Sequence, residues 1–205
     1  VAIIEKESLG GICLNWGCIP TKSFLRSAEI VKIIENSDHY GIKSKFLDVD
    51  IKGVVKRSRD IARNLSNGVE YLLKKNKVEI FFGKASFCDN RRLVVKSLDG
   101  SQIEIEAENF VIATGGSPKK LPFIKESKHI WYYKEALQPT NIPEKLLVVG
   151  SGAIGVEFAS FYSQMGSNVT LLESQDRIVP NEDPDVSNFV EKQFLNKKIK
   201  IFKNA

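Results

Sequence analysis

Apolar and polar residues follow one another along this chain in a pattern that predicts alternating strands and helices. An apolar run that ends in an acid predicts a buried strand over residues 1–5. Apolar positions three or four residues apart predict helices over residues 21–35 and 52–75. The other predicted elements are a glycine- and cysteine-rich turn region at 8–20, strands at 78–82, 110–113, 146–149 and 169–173, a hairpin of 93–95 and 103–105 around Asp99-Gly100, a helix at 156–165, and a strand just before Ala205.

This order of elements predicts an α/β protein with a doubly wound, Rossmann-like architecture. Prolines are frequent in residues 118–145, which we take as the boundary between a first domain at 1–142 and the start of a second at 143–205. The chain opens at Val1, without Met and inside an apolar run, and it stops directly after a predicted strand. We therefore expect an internal piece of a longer protein.

Composition narrows the function classes only slightly. Hydrophobic residues make up 42% of the 205 residues and charged residues 27%, as in ordinary globular proteins. Neither a secretion signal nor an apolar run of the roughly 20 residues needed to span a bilayer is present, so we expect a bacterial cytoplasmic or mitochondrial-matrix enzyme. The net charge of +5 comes from 30 basic and 25 acidic residues, and because the lysines are scattered it favours a solvated basic face over a nucleic-acid-binding surface.

The segment GGICLNWGCIPTK, residues 10–22, carries the strongest chemical signal. Cys13 and Cys18 can close a small ring if the backbone coils back between them. Cys18 precedes a predicted helix, whose N-terminus stabilises a thiolate. Two inert buried thiols or a zinc site are the alternatives, but no second Cys/His pair supplies zinc ligands, and we expect no metal. Cys88 stands apart from this segment and is interpreted as structural.

A glycine loop follows the strand predicted at 146–149. Gly150, Gly152 and Gly155 form a G-x-G-x-x-G pattern between this strand and a predicted helix, and Glu173 ends the next strand. This arrangement is typical of a dinucleotide site, where the helix N-terminus meets the pyrophosphate and the acid accepts hydrogen bonds from the ribose. An acid there favours NAD over NADP, although Arg177 lies nearby. An incidental glycine turn is the alternative.

The cysteine segment resembles the redox-disulfide signature of the class I pyridine nucleotide-disulfide oxidoreductases. The resemblance implies that Cys13 exchanges with the substrate and that Cys18 faces a flavin. It implies that Glu157 pairs with Lys22 near that flavin, whereas an exposed lysine and an ordinary helix acid are the alternative. The residues assigned to FAD and NAD binding, by this resemblance or by the glycine-loop pattern, are Glu5, Lys6, Gly10, Gly11, Cys13, Cys18, Lys22, Gly83, Ala85, Thr114, Gly115, Gly116, Gly150, Ser151, Gly152, Ala153, Ile154, Gly155, Val156, Glu157 and Glu173.

The resemblance also implies an activity. The residues around the cysteines are closest to family members that oxidise protein-bound dihydrolipoamide with FAD and NAD, as homodimers serving 2-oxo acid dehydrogenase complexes or the glycine cleavage system. A glutathione- or mercuric-reductase-like enzyme and a non-catalytic dinucleotide-binding module are the alternatives. The first domain would be an FAD domain whose first strand and glycine loop precede Val1. No catalytic histidine is assigned, since His39 and His129 lie in unrelated contexts.

Overall fold

The computed structural model describes residues 1–45 and 48–205, which form two compact units. The first unit consists of residues 1–19 and 59–126, and the second of residues 20–58 and 127–205. No helix in the described part of the chain is long and apolar enough to cross a membrane.

The first unit contains two small sheets. Strand β1 (Ala2–Glu5) pairs in parallel with β2 (Glu79–Phe82). Strands β3 (Lys84–Phe87), β4 (Arg92–Lys96) and β5 (Gln102–Glu106) form an antiparallel meander. Its β4–β5 hairpin confirms the turn predicted at Asp99-Gly100.

Among the described residues, three α-helices lie between β1 and β2 along the chain. They are α1 (Gly11–Trp16), α2 (Cys18–Glu35) and the 25-residue α3 (Ile51–Lys75). The turn region predicted at 8–20 is therefore wrong, because most of it is helical. Its glycines stand at the ends of α1, where a left-handed or irregular backbone is needed, and Pro20 lies in the first turn of α2, where proline is tolerated.

The second unit is built on a parallel sheet. Strands β6 (Lys145–Val149), β7 (Asn168–Leu172) and β8 (Lys200–Phe202) lie in that order, connected by α5 (Ala153–Gln164) and α6 (Pro184–Asn196). The predicted strand–loop–helix–strand sequence is confirmed, whereas α6 was not predicted. A short helix, α4 (Tyr133–Ala136), and a 3-10 turn (Ser37–Tyr40) complete the unit.

Aromatic side chains form the core of the second unit. The rings of Phe24 in α2 and Phe161 in α5 lie 4.6 Å apart, and Tyr162 stacks edge-on against Phe161. All three are fully buried. The Tyr162 hydroxyl donates a hydrogen bond to the Ala136 carbonyl at 2.7 Å. This packing fixes α2 against α5 and thereby sets the positions of the polar residues on both helices.

The buried strand predicted at residues 110–113 is wrong. Residues 107–132 form neither a helix nor a strand, and the exposed fractions of Val111 and Ile112 are 92% and 73%. A strand needs a hydrogen-bonded neighbour and a covered face. In the described residues β1 pairs only with β2, so the segment has no strand beside it. Its apolar composition alone therefore does not make it a strand.

Candidate functional site

Cys13 and Cys18 form a disulfide across the break between α1 and α2. Their Cα atoms lie 4.8 Å apart, within the usual range for a disulfide. Gly17 makes this approach possible, since a Cβ there would lie 3.0 Å from the Cys13 Cα. Cys18 is the first residue of the 18-residue α2, and both cysteines are exposed. The ring can therefore be reached by a thiol, and a thiolate at Cys18 would be stabilised by the helix N-terminus.

Polar contacts hold the residues enclosed by this ring. The Asn15 amide is buried and donates to the carbonyls of Leu9 and Gly11, at 2.8 and 2.9 Å. The Trp16 indole N–H donates to the Glu7 carboxylate at 3.1 Å. Arg59 of α3 donates to the Asn15 carbonyl, and its guanidinium carbon lies 3.8 Å from the centre of the Trp16 ring. Sequence reasoning missed Arg59, for which spacing along the chain gives no chemical signal.

The residues expected around the first cofactor lie partly together. Glu5 ends β1, and its carboxylate accepts hydrogen bonds from the backbone N–H groups of Glu7 and Ser8, at 2.7 and 3.2 Å. The Gly83 N–H donates to the Glu5 carbonyl at 2.9 Å, so these two positions are neighbours at one end of the two-stranded sheet. Gly11 has a φ of +69° and open space where a Cβ would project. The backbone there is therefore accessible to a ligand.

The remaining expected residues of this group are placed as follows. Lys6 is exposed, Gly10 has a φ of +98°, and Ala85 pairs with Val95 in the meander. Residues 114–116 are exposed and lie outside regular structure. A Cβ at Gly115 or Gly116 would meet no atom within 4 Å. The backbone of 114–116 is therefore open to a ligand as well.

The expected ion pair between Lys22 and Glu157 is present. The Lys22 Nζ lies 2.5 Å from the Glu157 Oε1, joining α2 to α5 over the Phe24–Phe161 contact. The lysine side chain is 63% exposed and the glutamate 25% exposed. Exposed pairs of this kind contribute at most about 1 kcal/mol to stability, so the pair has little structural value.

The three glycines of the loop after β6 differ in whether the structure requires glycine there. Gly150 has a φ of +95°, which permits the tight turn. A Cβ on Gly155 would lie 2.0 Å from the Gly150 carbonyl oxygen, so only glycine allows α5 to pack against the loop. Gly152 has an ordinary φ of −66° and no atom within 4 Å of its Cβ position. Neither conformation nor packing requires glycine there, and its absent side chain leaves the backbone open at the start of α5.

Glu173 is buried against this loop, with 6% of its surface exposed. One carboxylate oxygen accepts hydrogen bonds from the Ser151 N–H (2.9 Å) and hydroxyl (2.6 Å). The other accepts from the Ser174 hydroxyl (3.2 Å) and the Gln175 N–H (3.0 Å). Burial raises the pKa of the Glu173 carboxyl, but these hydrogen bonds, led by those of Ser151, lower it more, and the net pKa is below the usual value.

The other loop residues follow from this arrangement. Ser151 is fully buried, and its carbonyl accepts a hydrogen bond from the Val179 N–H at 3.0 Å. Ala153, Ile154 and Val156 belong to the first turn of α5, where Ile154 is exposed. Arg177 donates to the Pro180 carbonyl at 2.9 Å. In residues 1–45 and 48–205, no three His, Cys, Asp or Glu side chains are grouped to hold a metal ion.

A family profile described as "Pyridine nucleotide-disulphide oxidoreductase" matches residues 1–205. A dihydrolipoyl dehydrogenase of Zymomonas mobilis is 46% identical to this chain over 202 residues, which cover 98% of the chain and 43% of the relative. A dihydrolipoyl dehydrogenase of Chlorobaculum parvum is 43% identical over 195 residues, which cover 95% of the chain and 42% of the relative. The chain thus spans less than half the length of these relatives.

Solved structures of related proteins have the same fold as this chain. The chain superposes with a TM-score of 0.91 on LpdA from Mycobacterium tuberculosis, at 29% identity, covering 100% of this chain and 45% of that one. With RclA from Escherichia coli, described as an HOCl-induced flavoprotein disulfide reductase, the TM-score is 0.83 at 28% identity, covering 100% and 43%. The predicted α/β, Rossmann-like fold class is confirmed. The glutathione- and mercuric-reductase alternatives are not favoured by these relatives.

Proposed function

Because this chain belongs to the pyridine nucleotide-disulphide oxidoreductase family, we propose that its full-length protein oxidises protein-bound dihydrolipoamide to lipoamide with NAD as the final acceptor. The observation that carries this proposal is the exposed Cys13–Cys18 disulfide at the N-terminus of α2. The relatives named dihydrolipoyl dehydrogenase support the choice of substrate.

The disulfide would react by thiol–disulfide exchange. A substrate thiolate attacks the Cys13 sulfur, the S–S bond breaks, and Cys18 leaves as a thiolate held at the helix N-terminus. The second substrate thiol then attacks the substrate sulfur bonded to Cys13. This closes the substrate disulfide and releases the Cys13 thiolate. The substrate loses two electrons and two protons: the cysteine pair gains the two electrons, and the two protons pass to the surrounding water.

The residues fit two dinucleotide cofactors. A bound flavin would supply the two-electron redox chemistry that links the cysteine pair to NAD. Gly10, Gly11 and Glu5 would hold FAD, and residues 83–85 and 114–116 would complete its site. The open backbone at Gly152 and the N-terminus of α5 would receive the NAD pyrophosphate.

Glu173 would accept a hydrogen bond from the NAD ribose. All four lone-pair positions of its carboxylate are filled by protein donors in this structure. A ribose hydroxyl would therefore displace one of them, and the hydroxyls of Ser151 and Ser174 are the two donors that can rotate away. The Lys22–Glu157 pair would place a charge beside the flavin, which explains an exposed pair of little structural value.

The remaining parts of the proposal concern the full-length protein. Residues 1–142 would belong to its FAD domain and residues 143–205 would begin its NAD domain. It would act as a homodimer in the bacterial cytoplasm or mitochondrial matrix. Its partner would be a lipoyl group of a 2-oxo acid dehydrogenase complex or of the glycine cleavage system.

Replacing Cys13 by Ser tests the function. We expect Cys13→Ser in the full-length protein to lose dihydrolipoamide oxidation while it keeps its yellow colour, because the Gly10, Gly11 and Glu5 groups that we propose to hold FAD do not include the Cys13 sulfur. The matched control is Cys88→Ser, since Cys88 is an exposed free cysteine, and it should keep full turnover. Undiminished turnover in Cys13→Ser, or a colourless wild-type protein, would contradict the proposal.

A further inference from the structure

The segment enclosed by the Cys13–Cys18 ring is held by a residue far away in sequence. Arg59 touches two of the ring's four inner residues: it donates to the Asn15 carbonyl and stacks on the Trp16 ring at 3.8 Å. The other edge of the indole donates to Glu7 at 3.1 Å. The Trp16 side chain is therefore fixed both by the guanidinium over its face and by the carboxylate at its N–H.

The Asn15 carbonyl is a natural place for such a contact. It lies in the last turn of α1, where helix carbonyls have no partner within the helix. The chain must break at Gly17 before α2 begins at Cys18, so no continuing helix can supply that partner. A guanidinium at a helix C-terminus satisfies the carbonyl and suits the negative end of the helix dipole.

The face of α3 that carries Arg59 is built to hold this region. Ala62, one turn further along, is fully buried. Ser66, two turns along, donates to the Leu9 carbonyl at 2.8 Å, and the same carbonyl receives the Asn15 amide. The spacing of 59, 62 and 66 places them on one side of the helix. Burial, then Arg63, lowers the pKa of the Arg59 guanidinium while Glu7 raises it, and arginine keeps its charge.

We propose that Arg59 is a positioning residue for the redox disulfide, holding residues 15 and 16 in the shape that returns Cys13 to Cys18. Closing a ring costs the entropy of the chain between its ends. When that chain is already held, one thiol experiences a higher effective concentration of the other. This inference rests on the proposed function, because it concerns the disulfide that we assign as the redox centre.

Arg59 can act on the thiol–disulfide equilibrium by positioning or by charge, and the two effects shift that equilibrium in opposite directions. The direction of the shift when Arg59 is lost therefore tells which effect dominates. Holding the ring segment favours the disulfide, so losing Arg59 should favour the open dithiol. A positive charge near the cysteines instead stabilises thiolates, so losing it should favour the disulfide. A lysine keeps the charge but neither the planar stacking nor the guanidinium fork. Arg59→Ala and Arg59→Lys therefore separate positioning from charge.

The experiment measures the thiol–disulfide equilibrium in the full-length holoenzyme, without oxygen and without NAD. Two molecules of glutathione reduce the disulfide to two thiols and become one glutathione disulfide, so atoms and electrons balance. After equilibration in glutathione buffers of different ratios, acid quenching and alkylation, mass spectrometry gives the reduced fraction of Cys13 and Cys18. Arg63→Ala is the matched control, since Arg63 is an exposed arginine one turn along α3.

We expect Arg59→Ala to weaken ring closure about tenfold, a rise of about 30 mV in the two-electron potential. Arg59→Lys should shift in the same direction and recover less than half of the loss. Arg63→Ala should match the wild type. Trp16→Leu, which keeps Arg59 and removes the stacked ring together with its hydrogen bond to Glu7, should also weaken closure and guards against misfolding of the arginine variants.

The opposite results overturn the inference. An unchanged equilibrium in Arg59→Ala, a shift toward the disulfide, or full recovery in Arg59→Lys would each exclude positioning. The measurement counts protein thiols and not turnover. If the wild type fails to oxidise dihydrolipoamide but Arg59→Ala still weakens closure, the proposed function fails and this inference stands. If the wild type oxidises dihydrolipoamide but Arg59→Ala leaves the equilibrium unchanged, this inference fails and the proposed function stands.

Discussion

Replacing Glu173 by Gln removes a buried charge while it nearly preserves the side-chain shape. The carboxylate accepts two hydrogen bonds on each oxygen, from Ser151 on one side and from Ser174 and Gln175 on the other. The amide nitrogen of glutamine must face one of these pairs of donors and leave a backbone N–H without an acceptor. Hydrogen bonds to charged groups are each worth about 1.5–3 kcal/mol. We therefore expect opening of the glycine loop to become easier by about 2–3 kcal/mol, which is about 30- to 150-fold in amide exchange.

Hydrogen-exchange mass spectrometry on the full-length protein measures this directly. Peptides that contain residues 150–156 should exchange faster in Glu173→Gln, whereas peptides from α3 should not. The control is Glu29→Gln, which removes the same charge from an exposed pair with Arg26. Such pairs contribute little, so this control should match the wild type. A loop exchange rate within about twofold of the wild type would refute the reasoning, since it corresponds to less than about half a kcal/mol.

The pH dependence of the same contacts has a defined sign. The pKa of the Glu173 carboxyl is lowered in the folded protein, because the hydrogen bonds outweigh burial. Its contribution to stability is therefore complete above the unfolded pKa of about 4.3 and is lost as the pH falls through the lower folded value. Loop protection, corrected for intrinsic exchange rates, should be constant between about pH 6 and 7 and should decrease below about pH 4 in the wild type. In Glu173→Gln this decrease should be smaller.

Three further substitutions probe neighbouring contacts. Ser151→Ala removes one donor from the Glu173 carboxylate and opens an acceptor position for the ribose. The dissociation constant for NADH, measured by calorimetry, should therefore fall about three- to tenfold. A rise in this constant would contradict the displacement that we propose. Gly155→Ala places a Cβ 2.0 Å from the Gly150 oxygen, so NADH binding should weaken by at least about tenfold, whereas Gly68→Ala, with open space at its Cβ, should bind normally. Tyr162→Phe leaves the Ala136 carbonyl without its 2.7 Å partner and should lower the free energy of unfolding by about 1–2 kcal/mol in denaturant titrations, whereas the exposed Tyr71→Phe should not.

The sequence predicted those elements whose signals are local. The strand, glycine loop, helix and strand from β6 to β7 were predicted because strand runs and helical spacing switch at Gly150 and Gly155. The structure explains why these positions are glycine: the turn at Gly150 needs a positive φ, and the close contact at Gly155 leaves no room for a Cβ. The turn predicted at 8–20 failed because glycine and proline also suit the ends and first turns of helices. Composition alone does not tell these uses apart.

Predictions that depended on tertiary neighbours were less reliable. Residues 110–113 have the composition of a buried strand, but burial depends on a strand beside them, which a local pattern does not reveal. The Lys22–Glu157 pair joins residues 135 positions apart, and only a family resemblance predicted it. Neither residue type nor spacing would have singled out the two side chains.

Neither local sequence patterns nor the family resemblance predicted a role for Arg59. It is one arginine among many basic residues, and its spacing to Ala62 and Ser66 predicts a helix face but not what the face contacts. Its role follows only once the structure shows that the chain must break at Gly17 and that the last turn of α1 leaves a carbonyl for a partner outside the helix. Two Cα atoms five residues apart in sequence and 4.8 Å apart in space do not fit one continuous helix, so the closed ring requires that break. The sequence of the ring therefore creates the need for a hydrogen-bond donor to the Asn15 carbonyl, but only the structure shows that Arg59 is this donor.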